Sequence, residues 1–143
     1  MLKKAILSLL LLGGLSLSGQ KTLVWQLLEM TTYKIINESE FKSTYVPDFP
    51  AILEAQYANQ EVVIAGYLIP VDIEAQKYAL SKNPFTSCFF CGGAGPETVI
   101  ELRFEEPPGR FATDEFLMIK GQLRLNRSGN GLFFILENAE IHG

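Results

Sequence analysis

The sequence predicts a mainly β fold in which five or six strands curve into a small barrel. Apolar and β-branched residues form short runs through residues 61–143, separated by stretches rich in turn-forming residues. Two of the runs carry a glycine at their middle, Gly66 and Gly121, and glycine permits the sharp bends that small barrels require. This pattern predicts a partly open antiparallel barrel that is OB-like. A plain antiparallel sandwich is the alternative.

Residues 1–18 have the pattern of a secretory signal peptide. Lys3 and Lys4 form a basic start, an apolar core follows, and Ser16 and Ser18 are small residues suited to a cleavage site. We expect cleavage after Ser18. An uncleaved membrane anchor is the alternative, although the apolar run is shorter than the roughly 20 residues that span a bilayer. The sequence therefore predicts an exported protein of the periplasm or cell envelope, with no integral membrane span in the mature chain.

Residues 19–60 are expected to pack on the barrel as an N-terminal helix, a first strand and a long connection. Apolar residues at helical spacing around Trp25 predict a short helix or turn. Residues 31–36 are rich in β-branched and aromatic side chains, which predicts the first strand. Residues 37–51 contain two prolines and have weak periodicity, so we interpret them as the connection, and residues 52–57 as one helical turn.

Residues 61–143 carry the strands of the predicted OB-like β domain. The run at residues 61–69 is the strongest, and its internal Gly66 indicates a bulge or a sharp bend. Residues 97–104 and 116–125 alternate apolar with polar side chains, which is typical of strands with one buried face. The remaining elements are a weaker strand, a hairpin turn and a closing strand, at residues 76–81, 127–131 and 132–141.

The charge of the chain limits its partners. There are 12 Lys and Arg residues against 16 Asp and Glu residues, a formal net charge of −4, and the basic residues are scattered among acids. A phosphate backbone requires clustered positive charge, so we expect no nucleic-acid partner. The chain has one histidine, no serine elbow and no complete phosphate-loop motif, which favours a protein that is not an enzyme.

Cys88 and Cys91 are the only cysteines, and they form a C-x-x-C motif that Gly92 and Gly93 follow. Two thiols at this spacing can bind a soft metal ion, close a small disulfide ring or exchange electrons. Thiolates suit zinc or copper(I), and the glycine pair lets the backbone turn tightly around an ion. The turn should bring the two sulfurs within about 4 Å of each other.

A closed zinc site needs four ligands, and the two cysteines supply only half of them. His142 lies on the last predicted strand, and Glu97 follows Cys91 by six residues. Cys88, Cys91, His142 and Glu97 are therefore the candidate ligands of an open zinc site. Taken alone, a histidine next to a chain terminus is more typical of a solvated surface residue.

Four phrases of the sequence together resemble a family of small exported bacterial proteins of unknown function. The phrases are residues 66–70 (GYLIP), 80–85 (LSKNPF), 87–97 (SCFFCGGAGPE) and 120–126 (KGQLRLN). The resemblance covers nearly the whole mature chain and implies an OB-like β domain. The family has no established activity, so the resemblance implies no catalytic residue. Distant relatives are encoded with components of metal transporters. This implies a role in envelope metal handling, with an envelope transport component as partner.

These observations predict an exported, non-enzymatic binding module whose C-x-x-C loop binds a metal ion. Two alternatives stay open: a thiol-disulfide redox protein, and a structural domain in which the cysteines only staple the loop. A metal site should bring His142 or an acid close to both sulfurs. A redox site should expose Cys88 beside a cation or a helix start, whereas a staple should bury both sulfurs. The oligomeric state is open.

Overall fold

The structure, a computed structural model, describes residues 19–40, 42–106, 108–109 and 111–143. These residues form a mainly β protein, as predicted. The segment predicted as a signal peptide, residues 1–18, lies outside the described residues. The strands are β1 (Lys21–Thr22), β2 (Thr32–Ser39), β3 (Lys42–Asp48), β4 (Glu61–Asp72), β5 (Lys77–Ser81), β6 (Val99–Phe104), β7 (Glu115–Leu125) and β8 (Phe134–Ile141). The α-helices are α1 (Trp25–Leu28) and α2 (Ala51–Gln56), and short 3-10 turns lie at Phe85–Ser87, Phe89–Cys91 and Pro96–Thr98.

Strands β4 to β8 close into a five-stranded barrel with the order β4-β5-β6-β8-β7, in which β7 returns to pair with β4. An odd number of strands cannot alternate direction all the way round a closed ring, so one neighbouring pair must be parallel. That pair is β6 and β8, while the other neighbours are antiparallel. The predicted partly open, antiparallel barrel is therefore corrected to a closed barrel with one parallel pair, and the sandwich alternative is excluded.

The barrel interior is filled by apolar side chains that alternate along the strands. These interior residues are Val62, Ile64 and Leu68 of β4, Tyr78 and Leu80 of β5, Ile100 and Leu102 of β6, Ile119 and Leu123 of β7, and Phe134, Leu136 and Ala139 of β8. Leu28 of α1 and Leu53 of α2 are fully buried in the same cluster. Both helices therefore close over the barrel, although α1 is a single turn of four residues where a short helix was expected.

Gly66 and Gly121 lie within β4 and β7, inside strands as predicted. The β4–β7 register runs without interruption from Glu61 to Leu68, so Gly66 does not mark the expected bulge. Instead, a Cβ atom at Gly66 would lie 2.8 Å from the backbone oxygen of Ser81. Gly66 is thus needed for the close approach of two barrel strands.

The expectation that residues 37–51 form a long connection is wrong in part, because residues 42–48 form strand β3, which pairs with β2 as a two-stranded antiparallel sheet. Pro47 of β3 stands opposite Tyr33, and a proline is tolerated there because the strand lies at an edge. The Tyr33 ring lies 5.6 Å from the ring of Phe133, which joins this hairpin to the barrel. The prolines obscured the strand pattern of β3, although β3 pairs with β2, the strand that precedes it in the chain.

Trp25 links α1 to the barrel wall. Its indole Nε1 donates a hydrogen bond of 2.7 Å to the backbone oxygen of Ala65 in β4. We expect Trp25→Phe to lower the free energy of unfolding by about 1–3 kcal/mol, because the carbonyl loses its partner in a partly buried position. Urea unfolding followed by circular dichroism measures the change. Trp25→Leu should cost more because ring contacts are lost too, and a wild-type midpoint for Trp25→Phe would contradict the prediction.

No helix in the described part of the chain is long and apolar enough to cross a membrane.

Candidate functional site

Residues 82–98 join β5 to β6, and we call this segment the cysteine loop. The backbone oxygen of Cys88 accepts hydrogen bonds from the N–H groups of Cys91, at 3.2 Å, and of Gly93, at 3.1 Å. Gly92 has a φ angle of +75°, which glycine adopts without strain. A Cβ atom at Gly93 would lie 2.8 Å from the Cα atom of Ser87. Both glycines are therefore required for the tight turn that the sequence predicts.

The cysteine loop is anchored to the barrel by polar contacts near its first residues. The backbone N–H of Phe85 donates to Oδ1 of Asp114 at 2.6 Å, and the N–H of Asp114 in turn donates to the oxygen of Leu68 in β4. Lys82 Nζ lies 2.6 Å from Glu29 Oε1, just after α1. These contacts therefore hold the start of the cysteine loop against the barrel. Sequence reasoning missed Asp114, because an acid in a polar connection gives no signal of a contact 29 residues away.

The two thiols lie next to each other but differ in exposure. The Sγ atoms of Cys88 and Cys91 are 3.9 Å apart, which confirms the predicted spacing, and both thiols are free. Cys88 is fully buried, whereas Cys91 is exposed. A staple was expected to bury both sulfurs, and a redox site was expected to expose Cys88. The observed arrangement matches neither expectation, and among the described residues no third His, Cys, Asp or Glu side chain joins the two sulfurs, as a metal site was expected to show.

A second apolar layer lies on the outside of the barrel. Ile69, Ala79 and Val99 alternate with interior residues of their strands and so point outward, yet each is at most 1% exposed. Phe90 of the cysteine loop lines the same groove as Ala79, which places the loop on this face. Cys88 is buried but does not belong to the cluster that fills the barrel interior. Its side chain is therefore covered outside the barrel.

The carboxylate of Glu97, one of the predicted ligands, lies over Gly95 of the cysteine loop, where a Cβ atom at that glycine would meet both carboxylate oxygens. Its Oε2 atom is buried and has no hydrogen-bond partner among the described residues. Burial first, and then the negative charge of Glu97, raise the pKa of Tyr33 in β2. The Glu97 carboxylate therefore lies close enough to Tyr33 for their charges to interact.

His142, the other predicted ligand, follows β8 and is held against β7. Its backbone N–H donates to the oxygen of Met118 at 2.8 Å. The cysteine loop leaves from β5, which is not a neighbour of β7 in the barrel. Within the described residues, no three His, Cys, Asp or Glu side chains form a group that could hold a metal ion. Of the four predicted ligands, the fold thus brings together Cys88 and Cys91.

The spacing of the two sulfurs fits one edge of a thiolate tetrahedron. Zinc binds thiolate at about 2.3 Å with tetrahedral geometry, so two thiolate ligands stand about 3.8 Å apart. The observed separation is 3.9 Å. The pair can therefore occupy two corners of a zinc site with little movement of either sulfur, and the remaining corners are left to other donors.

The electrostatic surroundings of Cys91 do not activate it as a nucleophile. Desolvation by the surrounding atoms, followed by the hydrogen bond and the charge interaction with Cys88, raises the pKa of the Cys91 thiol. Reactive cysteines have a depressed pKa, which a cation or a helix N-terminus provides. A neutral thiol of this kind becomes a thiolate when a metal ion displaces its proton.

A groove of 890 Å³ runs along β5 and β6 beside the cysteine loop. Val71 comes from β4, Lys77 from β5, Arg103 from β6, and Phe90 from the loop itself. Sequence reasoning missed this groove because its walls come from separate segments that only the closed barrel brings together.

Comparisons with protein-family models, with curated proteins and with solved structures found no match to this chain.

Proposed function

We propose that the protein is an exported, non-enzymatic metal-binding module of the cell envelope, in which Cys88 and Cys91 hold a zinc ion. The observation that carries this proposal is the 3.9 Å separation of two free thiols, which matches the edge of a zinc tetrahedron. Anchoring of the loop by Asp114 and Lys82 supports the proposal, because a preformed ligand pair loses little conformational freedom on binding.

We interpret the barrel as OB-like. The order β4-β5-β6-β8-β7, closed by the β4–β7 pair and with β8 parallel to β6, supports this interpretation. In such a barrel the connections between strands carry the ligand sites, and the cysteine loop is one of these connections.

A site with only two protein ligands suits a protein that transfers its metal ion to a partner. A structural zinc site is closed by four protein ligands, whereas two thiolates leave open positions through which the ion can leave. This chemistry agrees with a role in envelope metal handling, with an envelope transport component as the receiving partner. Glu97 and His142 remain candidate ligands. Separate Glu97→Gln and His142→Ala variants decide whether either side chain turns toward the ion, because a true ligand would lower the zinc affinity when removed.

Elemental analysis and thiol titration of protein purified from its native compartment test the proposal. We expect zinc to copurify with the protein and to be lost when Cys88 and Cys91 are alkylated. Protein that contains neither metal nor titratable thiols would overturn the proposal in favour of a disulfide.

Zinc affinity should rise with pH. Each coordinating thiol must give up its proton, so the affinity increases about tenfold per pH unit for each proton displaced, as long as the pH lies below the thiol pKa. Because the pKa of the Cys91 thiol is raised above its usual value of 9.0, the proton of this thiol should still contribute to the increase at pH 9. Competition titrations with a chromogenic zinc chelator between pH 6 and 9, corrected for the chelator's own protonation, measure this. An affinity that is flat over the range would contradict thiolate coordination.

A further inference from the structure

The middle of the cysteine loop carries no charged side chain. Residues 83–96 contain no Lys, Arg, Asp or Glu, although the whole chain has a formal net charge of −4. Phe85 and Phe90 are 40% and 44% exposed, and both precede the exposed Cys91 in the chain. Depletion of charged residues and enrichment in aromatic residues are typical of the centre of a protein interface. This surface, residues 83–96, is called the neutral patch below.

The proposed metal site is incomplete at the same place. Two thiolates fill half of a zinc tetrahedron, and no third His, Cys, Asp or Glu side chain joins them within the part of the chain that is described. Because Cys91 is exposed while Cys88 is buried, an ion enters from the Cys91 side, and its open positions face outward from the neutral patch. Soft ions favour sulfur, so the best additional donors are further thiolates.

We infer that a second copy of this chain completes the site, so that two cysteine loops hold one zinc ion between them and the protein dimerises when it binds zinc. This inference rests on the proposed function. A two-fold axis through the ion brings identical surfaces together, which requires a self-complementary patch. The neutral patch carries no charged side chain of its own, so two copies can approach each other there, with the carboxylates of Asp114 and Glu97 lying near its two ends, against Phe85 and Gly95. Four thiolates then close the tetrahedron, and separation of the two copies opens it again so that the ion can be passed on.

The size of the neutral patch makes the ion necessary for the dimer. A stable protein interface buries about 800 Å² on each partner, contributed by about 20–30 residues. The neutral patch is a stretch of 14 residues that includes the buried Cys88 and Pro96. The contact between two loops is therefore too small to hold the dimer by itself, and we expect a monomer whenever zinc is absent.

Zinc titration of the reduced protein, followed by size-exclusion chromatography with light scattering, tests this inference. The reductant should be a phosphine, because a thiol reductant would supply competing thiolates. We expect the mass to double as zinc is added and to stop changing at 0.5 zinc per chain. A monomer that binds one zinc per chain would overturn the inference and leave the proposed function standing. Absence of zinc binding would overturn both, and a dimer without zinc would overturn the dependence on the ion.

Two exposed apolar residues provide a matched pair of variants. Phe90→Asp places a negative charge in the neutral patch of each copy, so the dimer should disappear and the stoichiometry should rise from 0.5 toward one zinc per chain. Ile36→Asp makes the same change on β2, at a residue that is 51% exposed, and should dimerise with zinc like the wild type. Loss of the dimer in both variants, or in neither, would contradict a contact through the cysteine loop.

Discussion

Replacing Cys91 with serine should lower the affinity for zinc at least about a hundredfold and leave the stability of the fold nearly unchanged. Removal of residues that only support metal ligands already costs 10–100-fold, and Cys91 is one of the two proposed ligands. Serine offers a neutral hydroxyl in place of a thiolate, which zinc binds poorly. The side chain is exposed, so its replacement creates no cavity. Competition with a chromogenic chelator gives the affinity, and urea unfolding gives the stability.

Cys88→Ser is the informative companion variant. The affinity for zinc should fall to a similar extent. The free energy of unfolding should also fall by about 1–3 kcal/mol, because Cys88 is fully buried and a hydroxyl at its position lacks a hydrogen-bond partner. The β-sheet signal in circular dichroism should survive both changes, since neither cysteine belongs to the interior cluster. Wild-type zinc affinity in Cys91→Ser would show that the C-x-x-C motif is not the metal site.

Replacing Gly66 with alanine should destabilise the barrel by about 3 kcal/mol, at the upper end of the usual cost of overpacking. The new Cβ atom would lie 2.8 Å from the backbone oxygen of Ser81 and 2.9 Å from Leu80 Cγ. Ser81 cannot move away easily, because it pairs with Tyr67 of β4 on one side and with Val99 of β6 on the other. Relief of the clash would therefore disturb two ladders of the barrel.

Thermal unfolding measures the effect of Gly66→Ala, and a loss of about 3 kcal/mol corresponds to a melting temperature lower by about 10 °C for a chain of this size. Gly19→Ala is the control, because nothing lies within 4 Å of the position that its Cβ atom would take. We expect the control to unfold at the wild-type temperature. Equal melting temperatures for Gly66→Ala and the wild type would contradict the prediction, because they would mean that β4 and β5 can move apart without a loss of stability.

Local sequence patterns were sufficient for the elements of the barrel. The run at residues 61–69 and the alternation at residues 97–104 and 116–125 correspond to β4, β6 and β7. The two glycines after the C-x-x-C motif indicated a tight turn, and the sulfurs lie 3.9 Å apart. These features depend on residues close together in the chain, and periodicity and turn chemistry report such short-range preferences directly.

Features that depend on distant residues could not be predicted in this way. Strand β3 was missed because Pro47 and the nearby Pro50 suggested irregular structure, whereas an edge position tolerates Pro47 within the strand. Asp114 was missed as an anchor of the cysteine loop because its partner, the N–H of Phe85, lies on another connection. Glu97 follows Cys91 closely in the chain, yet its carboxylate lies over Gly95 and forms no metal-binding group with the two thiols among the described residues.

The sequence by itself determined the β class, the positions of the barrel strands and a tight dithiol turn, because each depends on neighbouring residues. Only the tertiary structure decided that the barrel closes, that β6 and β8 run parallel and that the cysteine loop covers an outer apolar layer. It also decided the composition of the site, since the place of β8 in the ring holds His142 against β7. Closure depends on pairing between residues some 60 positions apart, such as Glu61 and Gln122, and no local pattern encodes that pairing.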